Sequence, residues 1–222
     1  FMLMAEATEV YYFKQLRKMA LESKGIFGSV RVEISDEDHA LNVYHDDFPS
    51  MRLIVVAGRQ LITKERLELL ALMTDSEFED GMDLLATVDA VVDAGGVPVC
   101  PWGAGKWMGQ RGKLLEKYLL SPAELFFVGD SGGRPSFWPR PRLFEGEKVV
   151  AHVLSGSDPL PLVGEEQKVG RFGGVIQKSC PGDHPATFLY NELKKSETVI
   201  SPYGRTCSSL LFVKNQIALR LK

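Results

Sequence analysis

Two aspartates stand where a β/α protein places its reactive acids. Asp158 lies in Val-Leu-Ser-Gly-Ser-Asp-Pro-Leu-Pro, residues 153–161. There a short apolar run, His152 to Leu154, meets Gly156, Pro159 and Pro161, which bar a helix. Asp130 follows a second run, Leu125-Phe-Phe-Val128, inside Gly129-Asp-Ser-Gly-Gly-Arg134-Pro. A carboxylate at the carboxyl end of a parallel strand is placed to ligate a metal or to activate water. The Gly-Asp-Ser-Gly string at 129–132 invites comparison with trypsin-like proteases. The comparison fails, because Ser131 lacks a GxSxG elbow and the strand–helix alternation does not suit paired antiparallel barrels.

Cations gather beside these acids. Cys100-Pro-Trp-Gly-Ala-Gly-Lys106-Trp-Met-Gly-Gln-Arg111-Gly-Lys113 reads as a strand end, a glycine turn and a helix start. Open backbone N–H groups at a helix N-terminus, with Lys and Arg nearby, make an anion site. Cys100 and Trp107 break the Walker pattern, so nucleoside triphosphate hydrolysis is not expected. Lys106, Arg111, Arg134 and Arg171 are the candidate substrate-binding residues. Asp158 and Asp130 are the candidate catalytic acids and, with His152, the candidate metal ligands. Glu165 and Glu166 read as solvated loop acids. The four histidines form no HxH or HExxH pair, and Cys180 and His184 make only half of a zinc site.

The elements that must hold these residues follow from periodicity. Val10, Phe13, Leu16, Met19 and Ala20 predict a helix over 5–24. Val30–Ile34 and Leu41–Tyr44 alternate around Asp36-Glu37-Asp38, predicting a hairpin. From residue 52 the pattern turns to βα: a strand at 53–57, a helix capped by Thr63 with Leu67, Leu70 and Leu72 inward, and a helix over 80–94 stopped by Gly95-Gly96. Strands at 97–100, 125–128 and 152–155 and helices at 106–120, 142–150, 186–195 and 208–221 complete the reading. The expected fold is α/β: parallel β/α units in a distorted or incomplete TIM-type barrel, with a small N-terminal β-hairpin excursion at 25–50, in one domain over 1–222. An open sheet competes with it, since eight units typically need about 250 residues.

With 222 residues, 45% of them hydrophobic, and a formal charge of −3, the chain is long enough for a real core and is not a phosphate-backbone binder by composition. Three widely spaced cysteines without CxxC read as free thiols in a reducing, cytoplasmic setting. No apolar run approaches the ~20 residues that span a bilayer. A small molecule is therefore the expected partner, with neither nucleic acid nor membrane. Trp138, in Phe-Trp-Pro-Arg-Pro-Arg, reads equally as a lid or as a homo-oligomer contact.

Ser155-Gly-Ser-Asp158-Pro-Leu-Pro resembles the last-strand motif of the amidohydrolase and PHP-type metal-dependent hydrolases. The resemblance implies a divalent metal (zinc, manganese or iron) and a role for Asp158 as ligand or water-activating group. The first-strand HxH of that superfamily has no counterpart; it lies upstream of Phe1 or does not exist. Three functions remain open. One is metal-assisted hydrolysis of a small anionic phosphoester or amide. Another is a catalytically degenerate barrel that binds an anion or sugar phosphate without metal. A metal-free aldolase or isomerase using Lys106 is a third.

Overall fold

The computed structural model describes residues 1–120, 126–144 and 152–221, and the chain divides into two compact units. The first comprises 1–64, 68–98 and 178–198; the second comprises 65–67, 99–177 and 199–222. The chain starts in the first unit with β1 (Met2–Glu6), α1 (Tyr12–Leu21), β2 (Ile26–Phe27), β3 (Val30–Ile34), β4 (Ala40–His45), β5 (Arg52–Ile62), β6 (Glu68–Leu72) and α2 (Leu84–Asp93). β7 (Val97–Pro101) begins in the first unit and ends in the second, where α3 (Gly109–Leu119), β8 (Phe127–Ser131), β9 (His152–Gly156) and β10 (Phe172–Ile176) follow. α4 (Pro185–Leu193) belongs to the first unit again; β11 (Ile200–Gly204) and α5 (Ser209–Arg220) complete the second.

In the first unit β2 to β6 pair in succession, all antiparallel. The hairpin expected at 30–44 is β3 and β4, in register Val32↔Val43. β5 is 11 residues long and serves three neighbours. Its residues 52–56 pair with β4, 58–62 with β6, and 55–59 with β1, which runs parallel to it. Phe13 of α1 is 1% exposed and packs with Val32, Leu41, Val55 and Ala57 to form the core.

Two expected helices change here. The helix over 5–24 shortens to α1, because Met2–Glu6 pairs with β5 as a strand. The helix after Thr63 is instead the turn and strand of a β5–β6 hairpin. Leu67, Leu69 and Ala71 are fully buried, a period of two, and Arg66 in the turn takes φ +61°. The apolar residues there fit either period, so tertiary pairing decides.

In the second unit β7, β8 and β9 are parallel, with Cys100↔Val128 and Val128↔Val153 in register. α3 supplies the crossover that the parallel β7–β8 pair needs. β10 then pairs antiparallel with β9 through Gly173↔Gly156, and β11 antiparallel with β10. The strands at 172–176 and 200–204 were not foreseen in the sequence. Of the helix expected over 142–150, Arg142–Phe144 form a 3-10 turn; residues 145–150 lie outside those described.

The TIM-type barrel is overturned. Among the described strands most of the pairings are antiparallel, and the ladder ends at β11 without closing. The physical reason is connectivity. Hairpins such as β3–β4 and β5–β6 have turns too short to hold the crossover helix that each barrel unit requires.

Candidate functional site

The carboxyl ends of β7, β8 and β9 carry the second unit's polar residues. Asp130 is the fourth residue of β8, within the strand and 7% exposed. Arg134, four residues on, meets it as a fork: Nε donates to Oδ1 at 2.7 Å and Nη2 to Oδ2 at 3.0 Å. Such a bidentate pair is strong and directional. The remaining arm, Nη1, donates to the Trp138 carbonyl at 3.4 Å. The Trp138 ring meets Trp102 edge-on, with centroids 5.8 Å apart. Asp130 thus holds Arg134, and Arg134 holds the segment that carries Trp138. Backbone bonds to Cys207 fix the same segment from the side: Cys207 N–H donates to the Arg134 carbonyl at 3.0 Å, and Ser136 N–H donates to the Cys207 carbonyl at 2.8 Å.

Asp158 is exposed, with φ +45°. Its Oδ2 accepts from Ser131 Oγ at 2.8 Å, and Ser131 Oγ accepts from Gly133 N–H at 3.1 Å. The serine proton is committed to a carboxylate and its oxygen to a backbone amide. His152 stands at the other end of β9: its backbone is opposite Phe127, whereas Asp130 is opposite Ser155. Three residues of strand separate His152 from Ser155, about 10 Å.

The structure gives the expected metal site no support. Among the described residues no three His, Cys, Asp or Glu side chains converge to hold an ion. Asp130 is engaged by Arg134, Asp158 by Ser131, and His152 starts at the wrong end of its strand. The thiols do not replace them: burial pushes the Cys207 and Cys180 thiols up, so neither is a thiolate near neutral pH. Among the described side chains no donor set fits a divalent metal.

The glycine segment after β7 builds the cavity. Trp102, 7% exposed, is anchored by its N–H to the Gly129 carbonyl at 2.8 Å. Gly105 and Gly109 take φ +76° and +64°, which lets the chain turn before α3 begins at Gly109. Met108 caps α3 without a side-chain hydrogen bond, so no side-chain cap competes for the helix's first N–H groups. The result is a cleft of about 370 Å3. Trp102, Trp107 and Trp138 wall it, Gly103, Gly105, Gly109 and Gly112 line it, and Lys113, Glu116 and Arg142 bring its charges. Trp107 Nε1 is shut off from solvent and has no hydrogen-bond partner among the described residues. The Trp107 ring meets Phe144 edge-on at 5.6 Å.

The four expected cations do not converge. Arg111 spends its guanidinium on the Gly105 carbonyl at 3.0 Å and the Arg66 carbonyl at 3.3 Å, bracing the loop. The Lys106 chain lies over Gly103, where an added Cβ would sit 2.6 Å from Lys106 Cδ. Arg134 is held by Asp130, and Arg171 is exposed at the start of β10. Lys113 and Arg142, both exposed, are the cations of the cleft. Lys113 sits one helical turn into α3 and Arg142 ends the Phe-Trp-Pro-Arg-Pro-Arg loop; the signal that joins them is spatial and has no spacing in the sequence. Glu165 also departs from expectation. It is buried and bonded to Lys168 and, at 3.0 Å, to Asn215 of α5. Burial raises its pKa, but these donors outweigh that and hold it below the usual carboxylate range.

Comparison with protein-family models, curated proteins and solved structures gives no match. Among the described residues no helix is long and apolar enough to cross a membrane.

Proposed function

We propose that this protein binds a small anionic ligand, without a metal, in the cleft between the β7–α3 segment and residues 138–143. The observation that carries the reading is the joint lining of one cavity by Lys113, Arg142 and the glycine turn at the start of α3. Backbone N–H groups at a helix start and two cations favour negative charge, and glycines let an oxygen-rich group come close to the backbone. Walls of tryptophan lower the local dielectric, which strengthens each charge contact. The metal-assisted hydrolase reading has no donor set among the described residues and is not carried forward.

The test is thermal stability with inorganic phosphate, sulfate and citrate, with and without EDTA. A ligand at 100 times its Kd stabilises by about 2.7 kcal/mol, which is about 5–10 °C in a chain of this size. A rise of this order that EDTA leaves intact, and that Lys113→Ala with Arg142→Ala abolishes, is expected. No shift with any anion, or a shift lost on chelation, would overturn the reading.

A further inference from the structure

We infer that the ligand of this cleft is a nucleoside monophosphate, with its phosphate at Lys113 and Arg142 and its base against the tryptophans. This rests on the anion-binding reading and deepens it. Three features of the cleft restrict the ligand beyond its charge.

The first is the wall. Three indoles line one cavity, more flat apolar surface than an inorganic anion or a small carboxylate can use. The Trp102–Trp138 contact is edge-to-face, at 68°, so the two rings do not stack on each other. An indole that lines a cleft is a stacking platform for a planar base.

The second is Glu116. It shares the cavity with Lys113, three residues before it on α3. A carboxylate there repels a polyanion, and among the described residues two cations face one acid, a balance that suits a single phosphate better than a triphosphate. The same carboxylate accepts hydrogen bonds, and ribose hydroxyls and exocyclic amines are donors of the kind it needs. The third is size. About 370 Å3 falls at the small end of the ~300–1,000 Å3 typical of ligand pockets. It is of a size that one mononucleotide can occupy.

The experiment is calorimetric titration of the whole chain with inorganic phosphate, ribose 5-phosphate, adenosine, AMP, GMP, CMP and UMP, with EDTA throughout. At least one monophosphate is expected to bind about ten-fold or more tightly than ribose 5-phosphate, the increment of one base–aromatic stack. Trp138→Leu is expected to remove that increment, so that no monophosphate binds more tightly than ribose 5-phosphate does to the same variant; Trp138→Phe, which keeps a ring, is expected to retain most of it. If no nucleotide exceeds ribose 5-phosphate while that compound and phosphate bind, base recognition is overturned and anion binding stands. If adenosine binds as well as AMP, the phosphate has no role and both readings fall. Absence of binding by every probe, in protein whose far-UV spectrum shows it folded, also overturns both.

Discussion

At the residue scale, Asp130 and Arg134 look like reactive groups and act as positioning ones. The side chains are 8% and 12% exposed, and the carboxylate is consumed by the guanidinium fork. Removing one partner of a buried pair leaves a charge uncompensated, at about 3–5 kcal/mol. Asp130→Ala is therefore expected to lower the urea midpoint strongly and to change the near-UV circular dichroism of the Trp102–Trp138 pair. Arg134→Lys keeps the charge but loses the fork and the reach to the Trp138 carbonyl. It is expected to weaken ligand binding in the cleft more than it lowers stability; an unchanged affinity would show that Arg134 does not position Trp138. The sequence shows these two residues clearly, because Gly129-Asp-Ser-Gly-Gly-Arg134 is a dense run of turn and charged types. What it does not show is which of them face each other. Asp130 and Asp158 carry the same side chain at neighbouring strand ends, yet one meets an arginine and the other a serine. Lys113 and Arg142 were hidden for the converse reason: each is an ordinary surface cation until the fold brings it to the cleft.

At the element scale, helix α4 is capped from a distance. His184 precedes it with φ +50° and gives no side-chain cap, while Glu37 from the β3–β4 turn accepts from Ala186 N–H at 2.8 Å and Thr187 N–H at 2.6 Å. Burial raises the Glu37 pKa, but the hydrogen bonds from Thr187 and Ala186 and the charge of His39 outweigh it and hold it low. Glu37→Ala leaves two helix N–H groups without their acceptor, an expected loss of about 2–4 kcal/mol by urea denaturation. The second unit has a comparable point of weakness. Gly204, at φ +84° in β11, would place a Cβ 1.9 Å from the Arg171 carbonyl. Gly204→Ala is expected to lower the melting temperature by several degrees and to increase hydrogen exchange in β10 and β11 selectively. Local structure was legible where one period or one stop signal dominated: α2 ends at the predicted glycines and the 30–44 hairpin has the predicted strands. It was illegible at 67–72, where leucines fit both periods, and at 172–176 and 200–204. Those two strands carry Gly173, Gly174, Pro202 and Gly204, residues that ordinarily argue against a strand.

At the scale of the whole molecule, buried acids set the pH response. Glu192, 4% exposed, accepts from Lys178, Lys195 and Thr198, and these hydrogen bonds, the lysines' first, pull its pKa down to about 2 against the opposing effect of burial. Glu37 and Glu165 are also held low. In the unfolded chain each titrates near about 4.3. Above that pH both states are ionised and the native contacts contribute in full. As pH falls below it the unfolded chain gains protons first, so stability drains away through the lowered native values. Stability is thus expected to fall steeply between about pH 4.5 and 2, and Glu192→Gln to flatten that fall; a slope unchanged by the substitution would remove Glu192 from the account. Alternating strands and helices suggested repeated parallel units, but among the described residues only β7–α3–β8 shows a helical crossover between adjacent parallel strands. The central claim is that the tryptophan-walled cleft binds an anion without a metal. Its most direct test is a crystal of the whole chain grown with EDTA and soaked in tungstate, a heavy analogue of phosphate. The account predicts an anomalous peak within contact distance of Lys113 and Arg142 that is absent from the Lys113→Ala, Arg142→Ala protein; a peak only elsewhere, or none, would contradict it.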